Sequence, residues 1–163
     1  GPFQFPEKLI PLTITNLLMG KMIPIYGKGT NIRDWIHVMD HCKAILKILL
    51  NGKIGETYNV GGEFEISNLK LVKKIISHLK NIDSNFEKKY LKSNKFLFDK
   101  NKIFNSIKFV PDRPGHDLRY AISNKKIKEE LHFKNVINFE NGLKSTINWY
   151  ILNRHWWIKK IKQ

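Results

Sequence analysis

A single cysteine, Cys42, in 163 residues excludes an internal disulfide framework and any zinc site built on thiolates. Arginine is nearly as scarce: only Arg33, Arg113, Arg119 and Arg154 stand against 25 lysines. A net charge of +15 and a pI near 9.9 invite a nucleic-acid reading. The excess is lysine on the polar faces of expected helices, without an arginine-rich groove interleaved with aromatics, so nucleic acid is not expected as a partner. No apolar run approaches the ~18 residues of a membrane span. No charged-then-apolar signal segment opens the chain either. A cytoplasmic protein without a membrane partner is expected, and 42% hydrophobic content is enough for one core. The opening Gly1-Pro2 carries no initiator methionine, which reads as a fragment.

What is present concentrates in Asp112-Arg113-Pro114-Gly115-His116-Asp117-Leu118-Arg119-Tyr120. Pro114 fixes its own φ and Gly115 can take a positive one, so such a loop holds one shape with its backbone close to a ligand. A guanidinium fork matches the paired oxygens of a diphosphate, which a lysine meets only as a point charge. The plainer alternative is a surface turn leading into a helix near Ser123.

Hydrophobic periodicity places a helix from Pro6 to about Gly20, with Leu9, Ile10, Ile14, Leu17 and Leu18 on one stripe. A strand over Met22–Tyr26 closes in Gly27-Lys28-Gly29. This turn is neither a Walker loop, which needs Ser or Thr after the lysine, nor a dinucleotide fingerprint, which needs glycine at position 32, here isoleucine. Trp35–Val38 reads as a strand entered through Arg33-Asp34, with Arg33 at its rim as a second diphosphate ligand. A helix over Asp40–Leu50 is expected to bury Cys42, Ile45, Leu46 and Leu49. Glu56–Val60 reads as a buried strand leaving through Gly61-Gly62. Ser67 caps a helix over Asn68–Leu79. The lysine- and asparagine-rich stretch 81–105 reads as a mobile insertion. Lys108–Val110 is a strand, Asn124–Leu131 a short helix, and Phe139–Leu152 a longer one. Trp156 and Trp157 are expected to pack in a core or domain edge rather than on a membrane.

Four stretches in order, GPFQFPEKLIP at the start, RDWIHVMDH from Arg33, GETYNVGG from Gly55 and DRPGHDLRYAI from Asp112, resemble dTDP-glucose 4,6-dehydratases of the extended short-chain dehydrogenase/reductase family. The resemblance implies a mixed α/β fold. It matches the C-terminal, sugar-nucleotide-binding part, with the N-terminal Rossmann half missing. It also implies a lyase that removes water from dTDP-glucose through transient oxidation at C4 by NAD, in deoxysugar and surface-polysaccharide synthesis, as a homodimer. Substrate contacts carried over are Lys8, Leu9, Pro24, Ile25, Tyr26, Asn68, and Asp112 through Arg113, Pro114, Gly115 and His116, with Tyr26 against the base. No tyrosine here has a lysine four residues on, and no glycine-rich NAD turn is present. NAD is therefore assigned to the missing half, and this chain alone is expected to be inactive. Competing readings are a related epimerase or decarboxylase, or a basic RNA- or anion-binding module. Because the strand Glu56–Val60 would join the missing half's sheet, Thr57–Val60 is expected to lack ladder partners here, and the Asp40–Leu50 helix to show an uncovered apolar face.

Overall fold

The computed structural model describes residues 1–92 and 96–161. Positions 93–95 of the expected insertion, and the last two residues of the basic tail, lie outside the described residues. Helix α1 (Leu9–Leu18) starts later than the proline signal implied, with Lys8 as its N-cap. Strand β1 (Ile23–Tyr26) leads through the Gly27–Gly29 turn to β2 (Ile32–Asp34). Helix α2 (Val38–Asn51) follows, then β3 (Glu65–Ser67) and α3 (Asn68–Lys80). After a single turn α4 (Ser84–Phe86), a π-helical stretch (Glu87–Lys92) and a 3₁₀ turn (Ile103–Asn105), β4 (Ile107–Val110) and β5 (Arg119–Tyr120) appear. Helices α5 (Lys125–Leu131), α6 (Phe139–Leu152) and α7 (Arg154–Ile161) end the chain.

The main core lies where α1, α3, α6 and α7 meet β1. Ile14, Leu18, Leu71, Ile75, Leu79, Ile147, Ile151 and Trp157 are fully enclosed there. Each of these helices presents an apolar stripe at helical spacing, so each finds its cover within the chain. Trp157 is anchored twice: its indole N–H donates to the Tyr150 carbonyl at 2.7 Å and its ring stacks on Phe96. Core packing is thus the place of this tryptophan. The stretch expected to be a loose insertion also contributes Leu91 and Ile103 to the core. Its scattered apolar residues find cover that a lysine- and asparagine-rich composition hid.

Two small sheets frame the site. β1 pairs in parallel with β4, Ile23 opposite Ile107 and Tyr26 opposite Val110. In the second sheet β2 lies between antiparallel β3 and parallel β5. The strand expected at Trp35–Val38 therefore sits three residues earlier, over Ile32–Asp34, and Arg33 lies within it rather than at its rim. Trp35 still donates its N–H to the Phe64 carbonyl at 3.1 Å, but beyond it α2 begins. The second expectation that changes concerns α2: its buried residues are Asp40 and Ala44, while Cys42, Ile45, Leu46 and Leu49 are exposed. Glu56–Val60, expected as a buried strand, forms no strand and is exposed or half-buried, since no strand among the described residues pairs with it; that Thr57–Val60 lacks ladder partners, and that part of the apolar face of α2 is open, are as expected.

Candidate functional site

The register of the two sheets builds the site. β1 runs through residues 27–31 into β2, and β4 runs through residues 111–118 into β5. Because β1 lies parallel to β4 and β2 parallel to β5, the two crossings leave and enter side by side, at the carboxyl ends of a parallel pair where open α/β sheets take ligands. Their backbones are stitched at both ends: Gly27 N–H donates to the Val110 carbonyl at 2.9 Å, and Ile32 N–H to the Leu118 carbonyl at 2.8 Å. The start of α3 docks on the first crossing, with Asn68 N–H on the Asn31 carbonyl and Leu69 N–H on the Gly29 carbonyl.

Side chains then lock the crossings together. Arg33 donates from one terminal nitrogen to the Ile32 carbonyl at 2.7 Å and from the other to the Asp117 carbonyl at 3.0 Å. Asn31, buried, donates to the same Asp117 carbonyl at 3.1 Å. Asp112 accepts from the backbone N–H of Arg113 at 2.9 Å and meets Nδ1 of His116 at 2.7 Å. The His116 hydrogen bond, ahead of the opposing effect of burial, holds the Asp112 carboxyl below the ordinary carboxylate range. The carboxylate also abuts Gly27, where a Cβ would come within 2.8 Å of Asp112 Oδ2 and φ is +53°. Gly115, at φ +66°, has open space where a Cβ would be, so there the backbone conformation alone calls for glycine. The Tyr26 ring stands edge-on to His116, centroids 6.4 Å apart, and is 48% exposed, leaving a face for a flat ligand.

Of the site residues expected from the sequence, Tyr26 meets the loop Asp112–His116 at the His116 ring, Arg33 reaches the Asp117 carbonyl just beyond that loop, and Asn68 docks through its N–H on Asn31 of the other crossing. Arg113 is exposed and its guanidinium has no hydrogen bond or ion pair among the described residues. The Asn68 side-chain oxygen is buried with no partner. Pro24 lies on the same strand as Tyr26. Ile25, 1% exposed, is a core residue, so its side chain supports the strand and is closed to a ligand. Leu9 is half-buried at the start of α1, and Lys8 pairs with the neighbouring Glu7 at 2.8 Å; no hydrogen bond among the described residues ties either to the loop. The second arginine of the loop, Arg119, is already engaged, making a two-pronged pair with Glu65 at 2.7 Å for each bond. Sequence reasoning missed Asn31 and Asp34. The Asp34 carboxylate accepts from the N–H groups of Gly62 and Phe64 at 2.8 and 2.9 Å and so secures β2 against the 61–64 turn. A buried polar residue following a glycine turn was the available signal for Asn31.

Among the described residues the Gly27–Gly29 turn does not form a dinucleotide cradle. A Cβ at Gly29 would fall 2.7 Å from the Ile25 side chain and 2.9 Å from that of Leu69. The glycine turn is thus packed against the core instead of open to a phosphate. Among the described residues no group of three or more His, Cys, Asp or Glu side chains is placed to hold a metal ion. No helix among them is long and apolar enough to cross a membrane.

The family model of GDP-mannose 4,6 dehydratase matches residues 1–146. A dTDP-glucose 4,6-dehydratase of Streptomyces niveus is 43% identical over 96% of the chain, which spans 40% of that relative. One from Shigella flexneri is 46% identical over 96% of the chain and 39% of its own length. Among solved structures, a dTDP-glucose 4,6-dehydratase of Streptomyces venezuelae with NAD bound superposes with a TM-score of 0.83 at 39% identity, over 98% of this chain and 43% of that one. The chain therefore spans about two fifths of the length of the relatives it matches.

Proposed function

We propose, for a chain that belongs to the GDP-mannose 4,6 dehydratase family, that it is the sugar-nucleotide-binding part of a dTDP-glucose 4,6-dehydratase, a cytoplasmic lyase. The observation that supports this reading is the pairing of the two crossings, with the exposed Tyr26 ring edge-on to His116, Arg33 on the Asp117 carbonyl, and Arg113 unpaired among the described residues. The cations suit a diphosphate, and the tyrosine face suits a pyrimidine base. Pro24, Gly115 and Pro114 shape the backbone beside them, and Lys8 and Leu9 at the start of α1 complete the contact set by resemblance.

In this reading the chain positions the substrate and performs no redox step. The packed Gly29 turn and the absence of a Tyr-x-x-x-Lys pair in the sequence support assigning NAD, oxidation at C4 and loss of water to other residues of the enzyme. The chain alone is expected to give no turnover of dTDP-glucose. Titration calorimetry with dTDP-glucose tests the binding claim. Saturable binding is expected, weakened about tenfold or more by Arg113→Ala, the loss of one charge-assisted contact. Failure of the folded chain to bind the nucleotide sugar, or binding indifferent to both Arg113→Ala and Tyr26→Ala, would overturn the assignment. The homodimer seen as a family expectation is part of the proposal, to be checked by sedimentation of the active assembly.

A further inference from the structure

Asp112 is the residue on which the loop converges, yet by charge it is the wrong group for a diphosphate site. Its carboxylate lies in the midst of side chains that would meet a dianion, so its value must come from what it does to its neighbours. Two contacts define that role: Nδ1 of His116 at 2.7 Å and the Arg113 N–H at 2.9 Å. The His116 side chain is only 6% exposed and its ring is set edge-on to Tyr26, so it has little freedom to turn over.

We propose that Asp112 is a positioning residue: it holds the Nδ1–H of His116 toward itself, leaves Nε2 for the ligand, and thereby makes diphosphate binding depend on protonation of that imidazole. This rests on the nucleotide-sugar reading above. A neutral imidazole carries one N–H. With that proton committed to Asp112, Nε2 is a lone pair, which repels a phosphate oxygen. Only when a second proton is added at Nε2 does the ring offer a donor to the diphosphate, and the resulting cation is balanced by Asp112. Binding therefore takes up a proton wherever the free imidazole is neutral. The sign follows: affinity is greatest at low pH and falls as rising pH removes the second ring proton, by up to about tenfold per pH unit. The other charges around the ring are Arg113 beside the same carboxylate, Asp117 next in the loop, Lys28 on the adjoining turn and Arg33 reaching the Asp117 carbonyl. None of them holds His116 by a hydrogen bond.

Two measurements test the proposal. In the ligand-free chain, nitrogen-resolved NMR of the neutral ring should report His116 as the Nδ1–H tautomer. Asp112→Ala should release it to the commoner Nε2–H form, whereas Asp112→Asn, which still accepts a hydrogen bond, should retain Nδ1–H. An Nε2–H tautomer in the parent chain, or no change in Asp112→Ala, overturns the positioning role whether or not nucleotides bind. The second measurement is the affinity for dTDP-glucose from about pH 5 to about pH 8, a probe whose two esterified phosphates keep their charge over that range. The expected fall with pH should flatten in Asp112→Asn and vanish in His116→Phe. Tight binding with no pH dependence overturns the proton linkage while leaving the nucleotide reading intact. Absence of binding at every pH overturns both the linkage and that reading, and the tautomer alone then decides the role of Asp112.

Discussion

Helices α6 and α2 are equally long and both amphipathic, yet one is enclosed and the other bare. On α6, Leu143, Ile147, Tyr150 and Ile151 are buried against α1, α3 and α7. On α2, Ile45 and Leu46 are about half exposed, and Leu49 and Leu50 are 78% and 69% exposed. The cluster beneath α2 contains only Ala44, Ile127, Leu131 and Phe133 as buried members. Unpartnered polar groups occur on both sides, Thr13, Asn68 and Arg154 among them, and cluster at one place. A cavity of about 290 Å³ lies between the start of α2 and α6, lined by Trp35, His37, Asp40, Asn135, Phe139 and Leu143, and there Trp35 Nε1, His37 Nε2, Asp40 Oδ1 and Asn135 Oδ1 are buried without a partner. A native interior rarely tolerates such groups, since each costs about 1–3 kcal/mol unsatisfied. The difference teaches that the chain covers the apolar stripe of α6 from within and leaves much of that of α2 open. A contiguous exposed apolar face of this kind is a surface for association, and the unladdered Thr57–Val60 segment lies in the same half of the molecule, its Tyr58 and Val60 packed on the α2 cluster.

The contrast can be broken first at Trp157. Replacing it with alanine should cost about 3–5 kcal/mol in urea unfolding, since it empties the best-filled part of the core; a cost close to that of an exposed α2 leucine would dissolve the distinction. Tyr150→Phe should cost about 1 kcal/mol by deleting the bond its hydroxyl donates to the Gln4 carbonyl at 2.5 Å, and hydrogen exchange should then quicken around Gln4. Leu49→Ser is expected to change stability by no more than about 0.5 kcal/mol while reducing self-association in sedimentation; a large loss of stability would mean that α2 is covered after all. The smallest effect concerns acid. The hydrogen bond from Lys74 holds the Glu140 carboxyl below its ordinary range, so its contribution is present above the unfolded-state value and lost as pH falls through the folded one. Glu140→Gln, at the start of α6, should therefore flatten the decline of melting temperature below about pH 4.5, and an unchanged slope would remove that pair from the account.

The elements were legible where a stripe and its cover lie in one chain. The periodicity of α3 and α6 announced both helices, and Ser67 announced the cap of α3, while the cap of α6 at Asn138 went unread. For α2 the same periodicity named an apolar face correctly and its burial wrongly, because a stripe records which side seeks cover and not where the cover comes from. Strand register was hidden for another reason. β2 is held by Glu65–Ser67 and by Arg119–Tyr120, partners far along the chain with no local trace. Hence the strand was placed on the more apolar Trp35–Val38. At the site, the density of Pro, Gly, Arg and His marked the loop at once. What no local pattern could convey is how its two arginines divide, Arg119 being taken by Glu65 while Arg113 is left open.

The pairing that builds the site also fixes when it can exist. Ile23 must find Ile107 and Ile32 must find Arg119, contacts of very high sequence separation, whereas the α6–α7 corner closes locally. Closing so long a loop costs little extra free energy, since each doubling adds only about 0.6 kcal/mol, but high contact order slows the search. During synthesis the first crossing waits, half-made, until Tyr120 has left the ribosome. Helices α6 and α7, which complete the core over α1 and α3, follow Tyr120 in the chain, so during synthesis the two crossings can pair before that core is closed.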